Sequence, residues 1–580
     1  MSADGGTARP ALLPARRWAL PDRLLLSGWP GARALIAYTL LSLVFFGPPV
    51  LPFVGHPSST VIARDQIDSS LFMWFFAWWP HALLHGVNPF ITHAMFVPEG
   101  FNLQWTTSMP GPSLLLSPVT LAFGPVVTWN VIQLAAPALS AWTAFLLCRY
   151  VTRRFWPSLL GGYLFGFSPY ELAHLTGGPF LALVPMLPVL VLLVLRRLAG
   201  GSSRRRFVTA MTVSLVAQFL ISTEVLTGAL LFGGVALLIA YLLMAERRRM
   251  LIDVAGLILA AGAIAAVVVS PFLYFFFFGR HYPPIGTFFS ADPVSFVSPP
   301  QFLELTLHLA GGDSSSSGEA YLGIPLLILV VACLWEQRRR RATWLAVSCL
   351  GVAAVASLGR VVYHHGRYTS IPLPWRLFAG LPVLQYAIPV RFVLFAILPA
   401  AIVAAMWLSR HGGWARWALA ALVVVSFLPN VGNAAWHTDI RDPAFFARGT
   451  YRRYLTPADH VLTVPTLGPN ERWQAESGFR FSLASGYAGA YPASYTRFAA
   501  WNTLLTGVLT PDYGTQLRRF IAAKDVTAIL VDKSYAGPWR KLFGTLGVRP
   551  LDTGGVLLYR LRGTGRRRDL KRSSGRSMSL

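Results

Sequence analysis

Asp65 and Asp68 are the acidic residues of this sequence best suited to catalysis. They are three positions apart, so both carboxylates share one face if the stretch is helical. They follow the first long apolar stretch, at 32–54. A carboxylate at the mouth of a partly dry cavity can act as a general base toward a hydroxyl. Either aspartate is alternatively the N-cap of the helix predicted to follow.

Arg391 and Arg376 are the candidate phosphate-binding cations. Arg391 lies in the segment IPVRF (388–392), at the start of an apolar stretch, and Arg376 ends the segment LPWR (373–376). A guanidinium presents its N–H donors in a planar fork and binds phosphate in bidentate fashion. An arginine at this position can also simply extend its charged end to a membrane surface, so both interpretations of Arg391 stay open.

Glu171, His174, Glu224 and Glu319 are candidate substrate contacts, because ionisable groups near membrane depth are costly to keep. Glu171 and His174 are three positions apart, which allows a joint contact with a substrate or metal. A hydrogen-bonded helix end explains this pair equally well. Glu224 has no cation beside it in the sequence, and a solvated turn is the alternative there. Glu319 is similar.

No metal site is predicted, and no cofactor is expected. Cys148, Cys333 and Cys349 lie in apolar stretches without CxxC or CxxH spacing. His364 and His365 are adjacent, so their side chains point in different directions in regular structure. A divalent metal therefore has no support in the sequence.

The composition predicts a membrane protein. Of the 580 residues, 54% are hydrophobic and 13% charged, and the mean hydropathy is +0.52. Soluble proteins have about 25% charged residues. Eleven apolar segments are predicted to span the bilayer. They lie at 32–54, 125–149, 156–172, 178–196, 207–222, 226–244, 254–278, 321–336, 342–358, 390–409 and 417–434. The predicted fold class is a polytopic α-helical membrane protein.

The positions of the arginines predict the orientation. A net charge of +26 favours a nucleic-acid partner only where the basic residues form one stripe. Here they form short clusters between apolar segments, such as 204–206 and 338–341, so no nucleic acid is expected. Such clusters mark cytoplasmic loops. The N-terminus, 1–31, is therefore predicted in the cytoplasm, and eleven spans place residues after 434 outside. The basic tail at 563–580, predicted to be disordered, would on charge alone favour a cytoplasmic C-terminus.

Two long loops are predicted on the outer face. The first, at 55–124, contains an aromatic-rich helix at 69–85 that we expect to lie along the membrane surface, unless it spans the membrane. The apolar segment 113–123 is too short to span and is predicted to be re-entrant or interfacial. The second loop, at 359–389, is rich in proline and is expected to be irregular and to cap a cavity.

The composition resembles that of a soluble protein after residue 434. We predict an extracytoplasmic α/β domain at 435–562, with strands at 461–464, 528–531 and 555–559 and a helix at 513–523. No glycine-rich phosphate loop or nucleophile elbow occurs there. We therefore expect no independent catalysis by this domain.

The arrangement resembles the GT-C glycosyltransferases. These share an outward first helix, an acidic motif opening a long first outer loop, an interfacial helix and a distal soluble domain. More narrowly, the chain is similar to a group of bacterial, often actinobacterial, membrane proteins. The stretches that carry this similarity are 72–79, 88–90, 98–103, 165–170, 371–374, 389–392 and 473–475. The resemblance covers nearly the whole chain, and its motifs indicate membership better than substrate.

The resemblance implies sugar transfer from a polyprenyl-phosphate-linked donor to a glycan or lipid acceptor of the cell envelope. The reaction would take place on the outer face of the bacterial plasma membrane, with inversion at the anomeric carbon. Asp65, then Asp68, best matches the aspartate that deprotonates the acceptor hydroxyl. Arg391, then Arg376, matches the cations that hold the phosphate. The sequence lacks the paired-acid tripeptide and tryptophan-rich signature of oligosaccharyltransferases, so metal dependence is not implied.

Two other functions are compatible with this layout. A transporter or flippase would also bind lipid-linked sugars. Transporters usually contain internal repeats with paired broken helices, and only one broken pair is visible here, around Glu224. A non-catalytic protein that binds lipid-linked glycans would keep the fold and would not need Asp65.

Overall fold

The computed structural model describes residues 29–64, 67–282, 289–305, 318–364, 366–381, 384–410, 413–432, 436–535 and 537–561. These residues form two compact units. Unit 1 holds the described residues of Met1–Pro48, Ile132–Ser270 and Gly286–Trp436. Unit 2 holds those of Pro49–Val131, Pro271–Ile285 and His437–Leu580. The basic N-terminal segment and the predicted tail lie largely outside the described residues.

Helices make up most of the described chain before residue 436. They are α1 Trp29–Phe46, α2 Ile67–Leu84, α3 Pro110–Leu115, α4 Ser117–Phe123, α5 Pro125–Thr152, α6 Phe155–Gly166, α7 Pro169–Leu175, α8 Pro179–Ala182, α9 Met186–Leu198, α10 Arg204–Ile221, α11 Thr223–Leu243, α12 Arg248–Val268, α13 Ser270–Phe278, α14 Ile324–Glu336, α15 Arg341–Ser357, α16 Leu394–Leu408 and α17 Trp414–Ser426. Each of the eleven predicted spans overlaps at least one of these helices.

Seven helical stretches of the described chain are long and apolar enough to cross a membrane. They are Trp29–Phe46, Pro125–Thr152, Pro179–Leu198, Thr223–Leu243, Ala245–Val268, Gly318–Glu336 and Pro389–Leu408. Two shorter apolar helices, α15 and α17, coincide with two further predicted spans. The chain is a polytopic helical membrane protein, while the number eleven and the orientation stay predictions.

Prolines divide two of the predicted spans. The span at 178–196 consists of α8 and α9, and Pro185 stands directly before α9. The span at 254–278 is divided after Val268, and Pro271 is the second residue of α13. Proline lacks an N–H, and its ring clashes with the preceding turn, so a continuous helix is disfavoured at both places.

Close helix packing in unit 1 depends on a glycine of α6. A Cβ on Gly161 would lie 2.6 Å from the Cys148 sulfur of α5 and 3.2 Å from the Ala401 carbonyl oxygen of α16. A side chain at this position would force the three helices apart, and membrane helices use small residues for such contacts. This packing fixes α6, which leads directly into α7.

The prediction of an irregular loop at 359–389 is wrong in part. Val361–His364 (β4) and Arg367–Pro372 (β5) form an antiparallel hairpin. The β-branched and aromatic residues of both segments favour strands, and the prolines stand at the end of β5 and beyond it.

The C-terminal part of unit 2 contains a five-stranded mixed sheet. Its strands are β7 His460–Val464, β8 Ser482–Leu483, β9 Ala528–Asp532, β10 Leu551–Thr553 and β11 Val556–Arg560, in the order β10-β11-β9-β7-β8. Strand β7 is parallel to β8 and β9, and the other pairs are antiparallel. The three predicted strands are β7, β9 and β11 and are confirmed. Strands β8 and β10 were not predicted, because segments of two or three residues are too short to show a periodic pattern of apolar residues.

Seven short helices accompany this sheet. They are α18 Ala444–Ala447, α19 Tyr451–Tyr454, α20 Asn470–Glu476, α21 Ala493–Thr496, α22 Ala499–Thr506, α23 Tyr513–Ala523 and α24 Trp539–Gly544. Helix α23 has the predicted bounds, so the α/β character of this segment is confirmed. The boundaries 435–562 of a separate domain stay a prediction.

Backbone hydrogen bonds join the C-terminal segment to the predicted first loop within unit 2. Strand β1 (Thr60–Val61) pairs with β6 (Thr438–Asp439). The Phe96 N–H donates to the Ser485 carbonyl over 3.2 Å. A further short pair, β2 (Ile91–Thr92) with β3 (Phe101–Asn102), closes the loop on itself. The loop is therefore held by a segment about 380 residues later in the chain.

The predicted aromatic helix is α2, most of which is buried inside unit 2. Trp74 stacks on Trp78 with 5.0 Å between ring centroids. The Trp74 indole N–H donates to Gln474 of α20 over 2.7 Å. Gln474 in turn donates to the carbonyls of Ala94 and Phe481. These tryptophans therefore hold protein segments together, and a position along the membrane surface stays a prediction.

Arg472 forms the buried ionic contact of α20. Its guanidinium is 1% exposed and donates to both carboxylate oxygens of Asp442, at 2.7 and 2.6 Å, and to Glu476 at 3.1 Å. Removing one partner of a buried ion pair leaves an uncompensated charge, which costs about 3–5 kcal/mol. We expect Arg472→Ala to lower the free energy of unfolding by about that amount. The exposed Arg519→Ala should change it by less than about 0.5 kcal/mol. Equal thermal midpoints for both variants would refute this.

Candidate functional site

Five side chains of unit 1 come together, and we call them the arginine–carboxylate cluster: Tyr170, His174, Glu224, Glu319 and Arg391. His174 Nε2 lies 2.8 Å from Glu319 Oε2, and Arg391 Nη1 lies 2.6 Å from Glu224 Oε2. The Tyr170 hydroxyl is within electrostatic range of both glutamates and of Arg391. Four of the six predicted substrate-binding residues therefore meet, although they are far apart in sequence.

Helix caps position the acidic residues. Ser168 is the N-cap of α7, where its hydroxyl accepts from the Glu171 N–H over 3.3 Å, and Pro169 occupies the first turn. Ser222 caps α11 in the same way, and Glu224 lies in the first turn. A carboxylate is favoured there by the helix dipole. The break around Glu224 is therefore a capped helix start.

His174 bridges two acceptors. Its Nδ1 lies 2.8 Å from the Tyr170 carbonyl oxygen, and its Nε2 faces the Glu319 carboxylate. An imidazolium satisfies both contacts, because both of its nitrogens are donors. Among the described residues, no donor bonds to the second oxygen of Glu319, which can therefore accept a hydrogen bond from a hydroxyl.

Arg391 is paired, but some of its N–H donors have no hydrogen-bond partner among the described residues. One N–H contacts Glu224, whereas a guanidinium has five. The two side chains are 25% and 30% exposed, so the pair is accessible to a ligand. The Arg391 guanidinium carbon also lies 5.8 Å from the centre of the Phe180 ring. An oxyanion can therefore bind Arg391 while Glu224 holds its orientation.

Two buried polar groups have incomplete hydrogen bonding among the described residues: the hydroxyl of Tyr170, which belongs to the cluster, and the carboxyl of Glu171 beside it. The Tyr170 hydroxyl has no hydrogen-bond partner among the described residues. Glu171 is 1% exposed, and neither carboxylate oxygen makes a bond of regular geometry, although the Ser140 hydroxyl is close enough to interact. Buried polar groups without partners are costly, which makes both candidates for contact with a bound molecule.

The predicted Arg376 is not among the side chains that pair in the cluster. Arg376 lies in the 3₁₀ helix Pro374–Leu377 with an exposed side chain, and it has no ion pair with any residue that the structure describes. Asp65 lies outside the described residues, as does His365. In the described part of the chain, no group of three or more His, Cys, Asp or Glu side chains could hold a metal ion.

Asp68 belongs to a second polar group, in unit 2. It lies inside the first turn of α2, which begins at Ile67, so it is not the N-cap. The Tyr487 hydroxyl donates a hydrogen bond to the Asp68 carboxylate. The Tyr487 backbone N–H donates to Glu471 Oε1 over 2.8 Å. We call Asp68, Tyr487 and Glu471 the Asp68 site.

Burial sets the protonation of the Asp68 site. It raises the pKa of Glu471 to about 8, so this carboxyl is neutral at pH 7. Burial, and then the Asp68 carboxylate, raise the pKa of Tyr487 well above its ordinary value. Tyr487 therefore remains a phenol that donates to Asp68 and fixes its orientation.

Glu471→Gln should flatten the dependence of stability on pH. Between about pH 4.5 and 8 the folded state keeps a proton on Glu471 that the unfolded state has lost, so wild-type stability falls as the pH rises. Glutamine has no such proton, and the variant's relative stability should rise with pH in that window, by at most about 1.4 kcal/mol per unit. Thermal midpoints from pH 4.5 to 9 test this, with the exposed Glu246→Gln as control. Parallel wild-type and Glu471→Gln profiles would contradict it.

The sequence did not reveal Tyr170, Glu471 or Tyr487 as members of these groups. Glu471 and Tyr487 are about 400 residues away from Asp68, and a buried neutral glutamate leaves no periodic signal. The nearest indications were two stretches that carry the GT-C resemblance: 165–170, which contains Tyr170, and 473–475, which begins two residues after Glu471.

The fold is similar to that of solved membrane glycosyltransferases. The cryo-EM structure of the arabinofuranosyltransferase AftD from Mycobacteria matches with a TM-score of 0.54 and 14% identity. The match covers 94% of this chain and 40% of AftD, so the chain spans less than half the length of that protein. The chain has the GT-C fold.

Other solved structures with lower TM-scores also match. ArnT from Cupriavidus metallidurans, bound to undecaprenyl phosphate, has a TM-score of 0.47 and 10% identity over 93% of this chain and 99% of ArnT. The oligosaccharyltransferase of Archaeoglobus fulgidus in the apo form has a TM-score of 0.45 and 11% identity over 88% of this chain and 70% of that protein. No curated protein matches the sequence.

Residues 35–428 match the family described as Domain of unknown function (DUF6311). This range is more than half of the chain and includes the whole arginine–carboxylate cluster. The chain belongs to this family.

Proposed function

We propose that this chain is a membrane glycosyltransferase. It transfers a sugar from a polyprenyl-phosphate-linked donor to a glycan or lipid acceptor of the cell envelope, with inversion at the anomeric carbon. The observation that carries the proposal is the arginine–carboxylate cluster in a chain with the GT-C fold. A bound sugar phosphate needs N–H donors for its phosphate and carboxylates for its hydroxyls, and this cluster contains both kinds of group.

The reaction needs a base for the acceptor, and we assign this role to Asp65, with Asp68 as the second candidate. The carboxylate takes the proton of the acceptor hydroxyl while the oxygen attacks the anomeric carbon. The bond between that carbon and the phosphate oxygen breaks, and its electron pair leaves with the polyprenyl phosphate. The proton then passes from the carboxyl to water. Tyr487 supports this assignment for Asp68, because its hydrogen bond orients the carboxylate.

Arg391 is assigned to the phosphate, and Arg376 is the second candidate. Negative charge grows on the phosphate as the bond to the sugar breaks, and a fixed guanidinium stabilises that charge. Glu171, Glu224, Glu319 and His174 are assigned to the sugar hydroxyls. The proposed location is the plasma membrane of a bacterium, with the chemistry on the outer face and the N-terminus in the cytoplasm.

The test uses the purified full chain in nanodiscs and a panel of radiolabelled polyprenyl-phosphate sugars, with an envelope extract as acceptor. Radiolabel that moves from the lipid to the acceptor supports the proposal. Movement of intact labelled lipid between leaflets of proteoliposomes, without transfer, would indicate a flippase. Tight lipid binding with neither activity would indicate a non-catalytic binding protein, and both results overturn the proposal.

A further inference from the structure

Three helices of unit 1 enclose an apolar groove with a volume of about 440 Å³. It lies between α1, α6 and α17, which come from distant parts of the chain. The residues that shape its walls include Ala37, Tyr38, Trp156, Tyr163, Trp417 and Ala421. We call this space the α1–α6–α17 groove. None of these residues belongs to the arginine–carboxylate cluster or the Asp68 site.

The three helices run in the same direction along the groove. The Tyr38 hydroxyl of α1 donates to the Leu159 carbonyl of α6 over 2.7 Å. Further along, the ring of Phe45 on α1 lies 5.9 Å from that of Phe167, which follows α6. Near the end of α6, the Tyr163 hydroxyl donates over 3.3 Å to the carbonyl of the residue that follows α17. The starts of all three helices therefore lie at the same end of the groove.

The groove has one open end. Trp156 and Trp417 lie in the first turns of α6 and α17 and are 64% and 48% exposed. At the other end the buried ring of Phe167 lies 5.4 Å from that of Tyr163 and 6.3 Å from that of Tyr38. This ring closes the space between α1 and α6. Apart from the tryptophans and tyrosines, the walls are alanine, leucine and valine, so an apolar chain fits between them.

Two arginines bring positive charge to the open end. Arg33 lies one turn before Ala37 on α1, and Arg154 directly precedes α6. Both side chains are exposed, and neither forms an ion pair within the described part of the chain. Arg416 of α17 is instead paired with Glu336 at 2.5 Å. The uncompensated charge at this end therefore comes from Arg33 and Arg154.

We infer that the α1–α6–α17 groove holds an acyl chain of one anionic phospholipid, whose phosphate lies against Arg33 and Arg154. A closed apolar slot with a cationic mouth matches a molecule with an apolar tail and an acidic head, and basic pockets between membrane helices bind such lipids. Helices α6 and α17 also begin without a side-chain cap, which favours a phosphate at their first N–H groups.

This lipid is distinct from the proposed glycosyl donor. In the predicted orientation, the starts of α1, α6 and α17 face the cytoplasm, so the lipid belongs to the inner leaflet. The proposed transfer takes place on the outer face. The test of lipid binding needs no donor or acceptor, and failure of one proposal therefore leaves the other standing.

The test of the headgroup measures lipid binding to the purified full chain in detergent by native mass spectrometry. Phosphatidylglycerol and phosphatidylcholine with identical acyl chains are compared. We expect the wild type to bind the first phosphatidylglycerol at least about tenfold more tightly, and Arg33→Gln with Arg154→Gln to lose this preference. Arg205→Gln with Arg249→Gln is the matched control and should keep it, because these exposed arginines also lie at helix starts on the predicted cytoplasmic face.

A second pair of variants tests the groove itself. Ala421→Phe places a ring between the walls and should weaken binding of the first phosphatidylglycerol by at least about tenfold, because the acyl chain loses its apolar contacts. Ala418→Phe adds the same ring to an exposed position of α17 outside the groove and should bind like wild type. If Ala421→Phe does not fold, Ala421→Leu gives the same comparison against Ala418→Leu.

Four results would overturn the inference. Equal affinities of the wild type for the two lipids would show that the head is not recognised. Equal losses in the two arginine pairs would show that only net charge matters. Equal binding by Ala421→Phe and Ala418→Phe would show that the lipid lies elsewhere on the surface. Dimers that Ala421→Phe abolishes without changing lipid binding would show that the groove joins two copies of the chain.

Discussion

Asp65→Ala is expected to lower the rate of sugar transfer by about 10²–10⁴-fold, the usual contribution of a positioned general base. Binding of the donor lipid should change little, because the aspartate acts on the acceptor hydroxyl. Asp68→Asn should lower the rate less if Asp65 is the base, since Asp68 then only supports it. The measurement is single-turnover transfer together with donor binding, for each variant in the same nanodiscs.

The exposed Asp552→Asn is the matched control, because among the described residues Asp552 forms its ion pair with Lys533 at the surface. A full rate in Asp65→Ala with a large loss in Asp68→Asn would move the base to Asp68. Tyr487→Phe, which removes the hydrogen bond to Asp68, should then also lower the rate. Full rates in both aspartate variants would refute the general-base assignment.

Arg391→Ala is expected to lower kcat/KM by about 10²–10³-fold, as loss of a donor to developing negative charge does elsewhere. Arg391→Lys should recover only part of this, because lysine keeps the charge and loses the fork. Glu224→Gln keeps the shape of the partner and leaves the guanidinium free. We expect this variant to bind polyprenyl phosphate at least as well as wild type and to lose less than about tenfold in kcat/KM.

A double variant separates a role in phosphate binding from a structural ion pair. Breaking a half-buried pair on one side leaves one charge uncompensated, whereas replacing both partners by apolar residues is often tolerated. Arg391→Met with Glu224→Met should therefore have a thermal midpoint near that of wild type and still fail to transfer sugar. Restored transfer in the double variant would show that Arg391 serves only to neutralise Glu224.

The sequence predicted the positions of the helices well, but it did not predict which side chains of different helices come together. Apolar segments of membrane length dominate the signal, so all eleven predicted spans contain helix, and strands β7, β9 and β11 follow from short runs of β-branched residues. The helix breaks at Pro185 and Pro271 were not predicted. The sequence shows both prolines, but the segments on either side of each are apolar, so hydropathy indicates one continuous span. The hairpin at 361–372 was hidden by the prolines around it.

In the candidate sites, single functional residues were easier to predict from the sequence than the contacts between them. Glu224, Arg391, His174 and Glu319 were each identified by an ionisable group near membrane depth. Their pairing joins residues that are about 150 (His174 and Glu319) and 167 (Glu224 and Arg391) positions apart, and no local pattern contains such contacts. Asp68 was identified for its spacing from Asp65, whereas Tyr487, which interacts with it, comes from the C-terminal segment.

The most direct measurement of the proposed reaction follows the anomeric carbon itself. A polyprenyl-phosphate sugar labelled with ¹³C at that carbon is incubated with the full chain and acceptor, and its NMR signal is recorded over time. The proposal predicts that coupling of this carbon to ³¹P disappears while a glycosidic signal of inverted anomeric configuration grows. Coupling to ³¹P that persists while the protein binds or moves the lipid would contradict glycosyl transfer.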